Sequence, residues 1–259
     1  MKPLSLLILF FALTSFSLKK DTRKVLLLIF AHPDDELAIA PVIARLSHTY
    51  RIYTVYATDG KGGTRVKNIA PDELGKIRQA EVACSLQKLG AEPPIFLHVD
   101  RLDSKNSLRV FWNETKWAKD SLKRIITNLS PKAIITMGPD GDTGHPEHRV
   151  ISGLTTELIL RESWYDRYPL YYITWTKEQA DRFAQFGIDE LMYADKRYVN
   201  LTVHYTNEDE ARSWEATKCH DSQYTQKEIE EMISGDKADT VNQMHFRKFI
   251  VDQKKRTSF

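Results

Sequence analysis

Residues 25–36 read VLLLIFAHPDDE. Val25 to Phe30 form a short, continuous apolar run, the pattern of a parallel strand covered by helices on both faces, and the polar turn AHPDDE ends it. Working outward, Pro41 stands where the first turn of a helix tolerates proline and opens VIARLSH, and Ile52 to Ala57 (IYTVYA) are β-branched and aromatic. Strand, helix, strand is therefore the first unit. Asp59 to Gly63 form a loop, Asp72 to Leu89 carry helical apolar spacing, and Gly90 is a stop before PPIFLHV. The alternation continues with a helix over Trp117 to Leu129, a buried strand over Ala133 to Met137 and a helix over Arg149 to Leu160. Such alternation predicts an α/β fold, a Rossmann-like, doubly wound, mostly parallel sheet with helices on both faces. LYYITW and YVNLTVHY read as later strands of an extended C-terminal part, and residues 207–252 read as mostly helical and polar. No Pro/Gly/Ser-rich linker interrupts residues 24–252, which are read as one domain.

Composition narrows the chemistry. With 42% hydrophobic and 28% charged residues among 259, the chain is not disordered, and a solenoid or propeller repeat is absent. Lys and Arg number 37 against 35 Asp and Glu, scattered without a basic stripe, which argues against a nucleic-acid partner. Two cysteines cannot build a cysteine-based zinc site. Cys84 falls in the helical pattern AEVACSLQKL, where a buried free thiol is expected rather than a bridge to Cys219.

The N-terminus begins with Lys2 and then runs without charge from Pro3 to Leu18 before Lys19-Lys20-Asp21. That is the layout of a secretory signal over residues 1–17, with cleavage after Ser17 and an exported, periplasmic or secreted product. A membrane anchor is the alternative, but spanning takes roughly 20 apolar residues and this run is shorter, so no obligatory membrane span is expected.

Two motifs carry chemistry. Ala31-His32-Pro33-Asp34-Asp35-Glu36 follows the first strand, and Gly144-His145-Pro146-Glu147-His148-Arg149 follows the fourth. In strand order 3-2-1-4-5 these two strands flank the point where the order reverses, so both motifs face one crevice. His32 and Asp35 are three apart around a proline, and His145 and His148 are three apart at a helix start. Two imidazoles and one carboxylate make a hydrolytic zinc set that leaves a fourth position for water. Spacing leaves open which of His145 and His148 ligates. Glu36 is either an anchor for a ligand or a cap of the following segment. A nucleotide-binding reading of Asp59-Gly60-Lys61-Gly62-Gly63 fails, because GxGxxG is missing and these glycines follow the second strand.

These motifs resemble the PIG-L/LmbE family of zinc-dependent de-N-acetylases, which includes N-acetylglucosaminyl deacetylases. The likeness extends to Thr58-Asp59-Gly60-Lys61-Gly62-Gly63, to ELGKIRQAE at residues 73–81 and to Ala216-Thr217-Lys218-Cys219-His220-Asp221-Ser222-Gln223. The resemblance implies His32, Asp35 and His148 as metal ligands, Asp34 as general base and His145 as stabiliser of the transition state. It implies Zn2+ as the ion, with Fe2+ as the alternative. The implied reaction removes the N-acetyl group of an N-acetylglucosamine-type sugar, as a small molecule, glycan or glycolipid, by zinc-activated water. Two other readings stand beside it: an exported sugar-binding protein that keeps the metal without turnover, and a zinc amidase cleaving a sugar conjugate. Arg78, Asp103 and His220 are substrate-contact candidates by the same resemblance, although Arg78 also reads as a solvated helical arginine. The family's HPDH is HPEH here, and Glu147 is not an expected ligand. His48, His98, His204 and His245 lack partner spacing and read as surface or internally satisfied histidines.

Overall fold

The computed structural model describes residues 21–63, 69–103 and 107–258. Residues 1–17, expected to be a secretory signal, lie outside the described residues. The parallel strands are β1 (Lys24–Phe30), β2 (Tyr50–Tyr56), β3 (Ile95–Phe96), β4 (Ala133–Thr136) and β5 (Leu170–Thr174), followed by β6 (Leu201–His204) and β7 (Gln243–Lys248). The helices are α1 (Ala40–Leu46), α2 (Pro71–Leu89), α3 (Leu108–Leu129), α4 (Pro146–Arg161), α5 (Lys177–Ala184), α6 (Asn207–Thr217) and α7 (Gln226–Lys237). Together the strands make one seven-stranded sheet in the order β3-β2-β1-β4-β5-β7-β6. The fold is the α/β, mostly parallel sheet expected, and the order reverses between β1 and β4 as the motif argument required.

β1 is the centre of this arrangement. Leu28 sits opposite Thr54 of β2 on one side and Ile135 of β4 on the other. Its side chains alternate between faces. Leu26, Leu28 and Phe30 join the core with Ile43, Val82, Leu86 and Phe246, under α1, α2 and α6. Leu27 and Ile29 join Leu122, Ile126, Ile151 and Leu158, under α3 and α4. A strand buried on both faces needs apolar residues at every position, which is why VLLLIF has no polar alternation.

Three readings need correction. β7 lies within residues 207–252, the stretch read as mostly helical, and pairs antiparallel with both β5 and β6. Its polar side chains disguise it: His245 bonds Thr202 at 3.0 Å, and Arg247 reaches Asp140 and Thr174, both at 3.1 Å, so they are satisfied inside the fold. α3 starts at Leu108, nine residues before Trp117, capped by the Ser107 hydroxyl accepting from the Val110 N–H. Its first turns are solvated, with Trp112 75% exposed, and so lack a core-facing period. Lastly, Cys84 is not a free thiol. α2 and α6 pack side by side, and Cys84 is bonded to Cys219, with Cα atoms 6.0 Å apart across a sequence separation of 135. In the chain-entropy picture, closing a loop of that length restricts the unfolded chain by about 5 kcal/mol. Among the described residues, no helix is long and apolar enough to cross a membrane.

Candidate metal centre and active site

The first half of the site is the turn that ends β1. Asp35 folds it back, with Oδ2 accepting the N–H groups of Ala31 at 2.8 Å and His32 at 2.9 Å. Asp34 is forced to φ 111°, a left-handed backbone that costs a non-glycine residue roughly 1–3 kcal/mol. Glu36 offsets the cost: its Oε2 accepts the Asp34 N–H at 3.1 Å and the Tyr56 hydroxyl at 3.0 Å. Its Oε1 accepts Ser85 Oγ and His220 Nε2, each at 2.7 Å. Burial opposes the Glu36 charge, yet the His220 imidazole keeps this carboxyl below its usual range. Glu36 is thus a fully buried anchor of the turn.

The second half is the loop between β4 and α4. His145 caps α4, its Nδ1 accepting the Glu147 N–H at 3.2 Å, and Pro146 occupies the first helical position. His148 follows in the first turn, with Nδ1 bonded to the Gly141 carbonyl at 3.1 Å. Gly141 has φ 79°, and a Cβ there would come within 2.7 Å of Arg149 and 2.9 Å of the His145 carbonyl, so the position requires glycine. Glu147 crosses to the other motif: Oε2 is 2.7 Å from His32 Nε2, and Oε1 accepts the Leu102 N–H at 2.5 Å.

These outer partners decide what each imidazole offers. A carbonyl or carboxylate only accepts, so His148 Nδ1 and His32 Nε2 are donors, and a metal-competent ring then presents His148 Nε2 and His32 Nδ1. Those two atoms are 3.3 Å apart, and Asp35 Oδ1 is 3.0 Å from the first and 3.7 Å from the second. Tetrahedral ligands at about 2.0–2.1 Å from zinc stand about 3.3–3.4 Å from each other, so the triangle fits the ion. His145 also lies close, since the three histidines offer ring nitrogens all within 4.8 Å of one another. Its hydrogen bond differs. A backbone N–H only donates, so His145 Nδ1 is the acceptor and its proton sits on Nε2. Desolvation and the neighbouring His32 and His148 imidazoles push His145 down to about 4, which keeps it neutral. His32 behaves oppositely: burial opposes its charge, but Asp35 and Glu147 hold it up at about 10. Binding a cation would therefore displace a proton from His32.

Asp34 stands beside this triangle. Its Oδ1 pairs with Arg78 at 3.0 Å and its Oδ2 accepts the Tyr224 hydroxyl at 3.1 Å. Burial raises its carboxyl above the ordinary range, against the pull of Arg78. Arg78 is 4% exposed, so it is no solvated helical arginine. Its guanidinium also donates to the Pro33 and Gly60 carbonyls, and the residue lines the crevice beside Asp34. His220 is 0% exposed and bonded to Glu36. Asp103 does line the crevice, gripped by Arg101 at 2.5 and 2.9 Å. Of the unassigned histidines, His48, His98 and His204 are exposed and His245 is internally bonded. Sequence reasoning missed Glu147 and Tyr224. The position of Glu147 between two metal-motif histidines was the available signal, whereas nothing local marks Tyr224.

The crevice holds about 910 Å³ and continues from the histidines into a lobe lined by Arg182, Tyr205, Asp236 and Asp239. Arg182 pairs with Asp239 at 2.8 Å. Burial, then Glu210, push Asp236 up to about 7, with Asp239 adding to the shift and Arg182 opposing it. A carboxyl whose pKa rises on folding favours the fold below its unfolded pKa, and that contribution is lost as pH rises through the folded value. Asp236→Asn is therefore expected to be neutral near pH 4 and to stabilise the protein by about 4 kcal/mol at pH 8. Urea denaturation at both pH values measures it, and a pH-independent effect would contradict the assignment.

With the geometry in view, likeness to known proteins becomes informative. The family model for GlcNAc-PI de-N-acetylase (PIG-L) matches residues 27–159, just over half of the chain and inclusive of both motifs. The 1D-myo-inositol 2-acetamido-2-deoxy-alpha-D-glucopyranoside deacetylase of Mycolicibacterium vanbaalenii is 28% identical over 173 residues, covering 60% of this chain. The match likewise spans 60% of that relative's length. Among solved structures, the N,N'-diacetylchitobiose deacetylase of Pyrococcus horikoshii superposes with TM-score 0.60 at 21% identity, covering 88% of this chain and 84% of its own. The 4-carboxy-2-hydroxymuconate hydratase of Pseudomonas putida reaches TM-score 0.62 at 13% identity, covering 91% of this chain and 100% of its own. A hydratase and a deacetylase on one fold show that architecture alone does not select the reaction. The matched segment and its motifs do identify the lineage: this chain belongs to the GlcNAc-PI de-N-acetylase (PIG-L) family.

Proposed function

We propose that the protein hydrolyses the N-acetyl group of an N-acetylglucosamine-type sugar, using a divalent ion, Zn2+ or Fe2+, held by His32 Nδ1, Asp35 Oδ1 and His148 Nε2. The observation that carries this reading is the donor triangle of 3.0, 3.3 and 3.7 Å with the Asp34 carboxylate beside it. When bound, the ion supplies a Lewis acid that polarises a carbonyl and lowers the pKa of water toward about 7. Asp34 takes the proton from the attacking water, a task suited to a carboxyl raised by burial and aimed by Arg78 and Tyr224. As the amide carbonyl becomes tetrahedral, its oxygen gains negative charge. His145 Nε2–H, fixed by the helix cap on Nδ1, donates to that oxygen. Asp34 then passes its proton to the departing nitrogen, the C–N bond breaks, and acetate and a free amine leave.

The names of the similar proteins favour an amino sugar over other amides, and the crevice is large enough for a sugar with an attached group. Acetate release should be measured on N-acetylglucosamine, its inositol conjugate and diacetylchitobiose. Asp34→Asn is expected to lower kcat by about 10²–10⁴ with little change in substrate binding, and His145→Ala by about 10²–10³. Chelation should abolish turnover and added ion restore it. Full activity after chelation, or a silent Asp34→Asn, contradicts the reading; ligand binding without acetate release makes the protein a binder.

We also propose that the chain is exported. The Cys84–Cys219 bond supports an oxidising compartment. N-terminal sequencing of the protein from its own cells is expected to start at Leu18, and a chain retaining Met1 or Lys2 would contradict export.

A further inference from the structure

We propose that the Cys84–Cys219 disulfide is a positioning clamp for the catalytic turn, so that cleaving it loosens Asp34 and Asp35 while the sheet stays intact. The bond lies one residue from each of two donors to the same oxygen. Ser85 follows Cys84 on α2, His220 follows Cys219 beyond α6, and both reach Glu36 Oε1 at 2.7 Å. The other oxygen of Glu36 holds the Asp34 N–H in its left-handed conformation. The covalent link therefore sets the spacing between two elements that both donate to Glu36 Oε1.

The same two elements also grip Asp34 directly. α2 supplies Arg78, and the segment after Cys219 supplies Tyr224. That segment, between α6 and α7, is a run of hydrogen-bonded turns rather than a helix or strand. Besides the disulfide, α2 holds it through Glu81, which accepts the Ser222 N–H at 2.8 Å and hydroxyl at 2.7 Å. His220 is fully buried yet bonded at Nε2 alone, and its Nδ1 has no protein partner. A ring tethered at one end depends on its backbone for position, and the neighbouring disulfide holds that backbone together with its turn hydrogen bonds, from the His220 N–H to Thr217 and from the Gln223 and Tyr224 N–H groups to the His220 carbonyl. Both cysteines are half-buried, within reach of a small thiol. A dithiol reductant would break the S–S bond, leave two thiols and itself close to a cyclic disulfide, balancing two electrons and two protons.

The functional consequence rests on the deacetylase reading; the positional one does not, and the test separates them. Hydrogen exchange of the metal-loaded full chain is followed by mass spectrometry before and after the dithiol, and for the Cys84→Ser/Cys219→Ser variant. Acetate release is measured in parallel. Residues 31–36 and 219–224 are expected to exchange at least about tenfold faster without the bond, with β2 and β4 unchanged. kcat should fall at least about tenfold with KM within about twofold, since small misplacement of reacting groups costs rate before binding. Reoxidation should restore the wild type, and the dithiol should leave the double-serine variant unchanged, which controls for metal capture by the reductant. Unchanged exchange at 31–36, or acceleration spread evenly over β1 to β5, would overturn the clamp. Should the variant fail to fold, reduction of the folded wild type decides alone. Faster exchange at 31–36 with no acetate release from any form would uphold the clamp and remove the deacetylase reading instead.

Discussion

The two oxygens of Asp35 act in different directions, and the site depends on that division. Oδ2 closes the turn after β1 by accepting two backbone N–H groups, which leaves Oδ1 directed at His148 Nε2 from the opposite motif. Burial opposes the charge, but the imidazoles of His148 and His32 prevail and hold this carboxyl well below its usual range. A buried carboxylate facing two histidines is costly unless the rings carry charge or a cation replaces their protons. The sheet supplies the meeting point, because β1 and β4 are adjacent where the strand order reverses and their following turns share one edge.

Around this centre, each histidine's duty is set by the partner on its other nitrogen. Gly141 and Glu147 accept hydrogen bonds from His148 and His32, so a cation beside Asp35 would take the place of the protons on their other nitrogens; the Glu147 N–H instead donates to Nδ1 of His145. Glu147 thus orients His32 with its carboxylate and His145 with its backbone N–H. Glu in place of the family's Asp does not leave the position idle, since its carboxylate spans from α4 to both His32 and Leu102.

Much of this was legible in the sequence. VLLLIF announced a doubly covered strand, and two His-Pro motifs after strands one and four located the crevice, because both signals are local in sequence. What was not legible depends on distant partners. Nothing local to Arg78 shows that it meets Gly60 and Asp34, and nothing local to His220 shows that it meets Glu36. Cys84 reads as a core thiol because only the packing of α2 on α6 reveals Cys219. β7 stayed hidden because its polar side chains are satisfied across the sheet rather than by solvent. Spacing alone could not choose between His145 and His148. What the structure adds is that His148 Nδ1 faces a carbonyl and His145 Nδ1 faces an N–H, the difference on which the proposed choice rests.

The proposed choice fixes where an ion sits. A crystal structure of the zinc-loaded protein, with the ion located by anomalous scattering, tests it directly. The expected result is one ion per chain on His32 Nδ1, Asp35 Oδ1 and His148 Nε2, with His145 outside the coordination sphere and its Nδ1 still capping α4. An ion bound by His145 in place of Asp35 or His148, or no ion at this edge of the sheet, would contradict it.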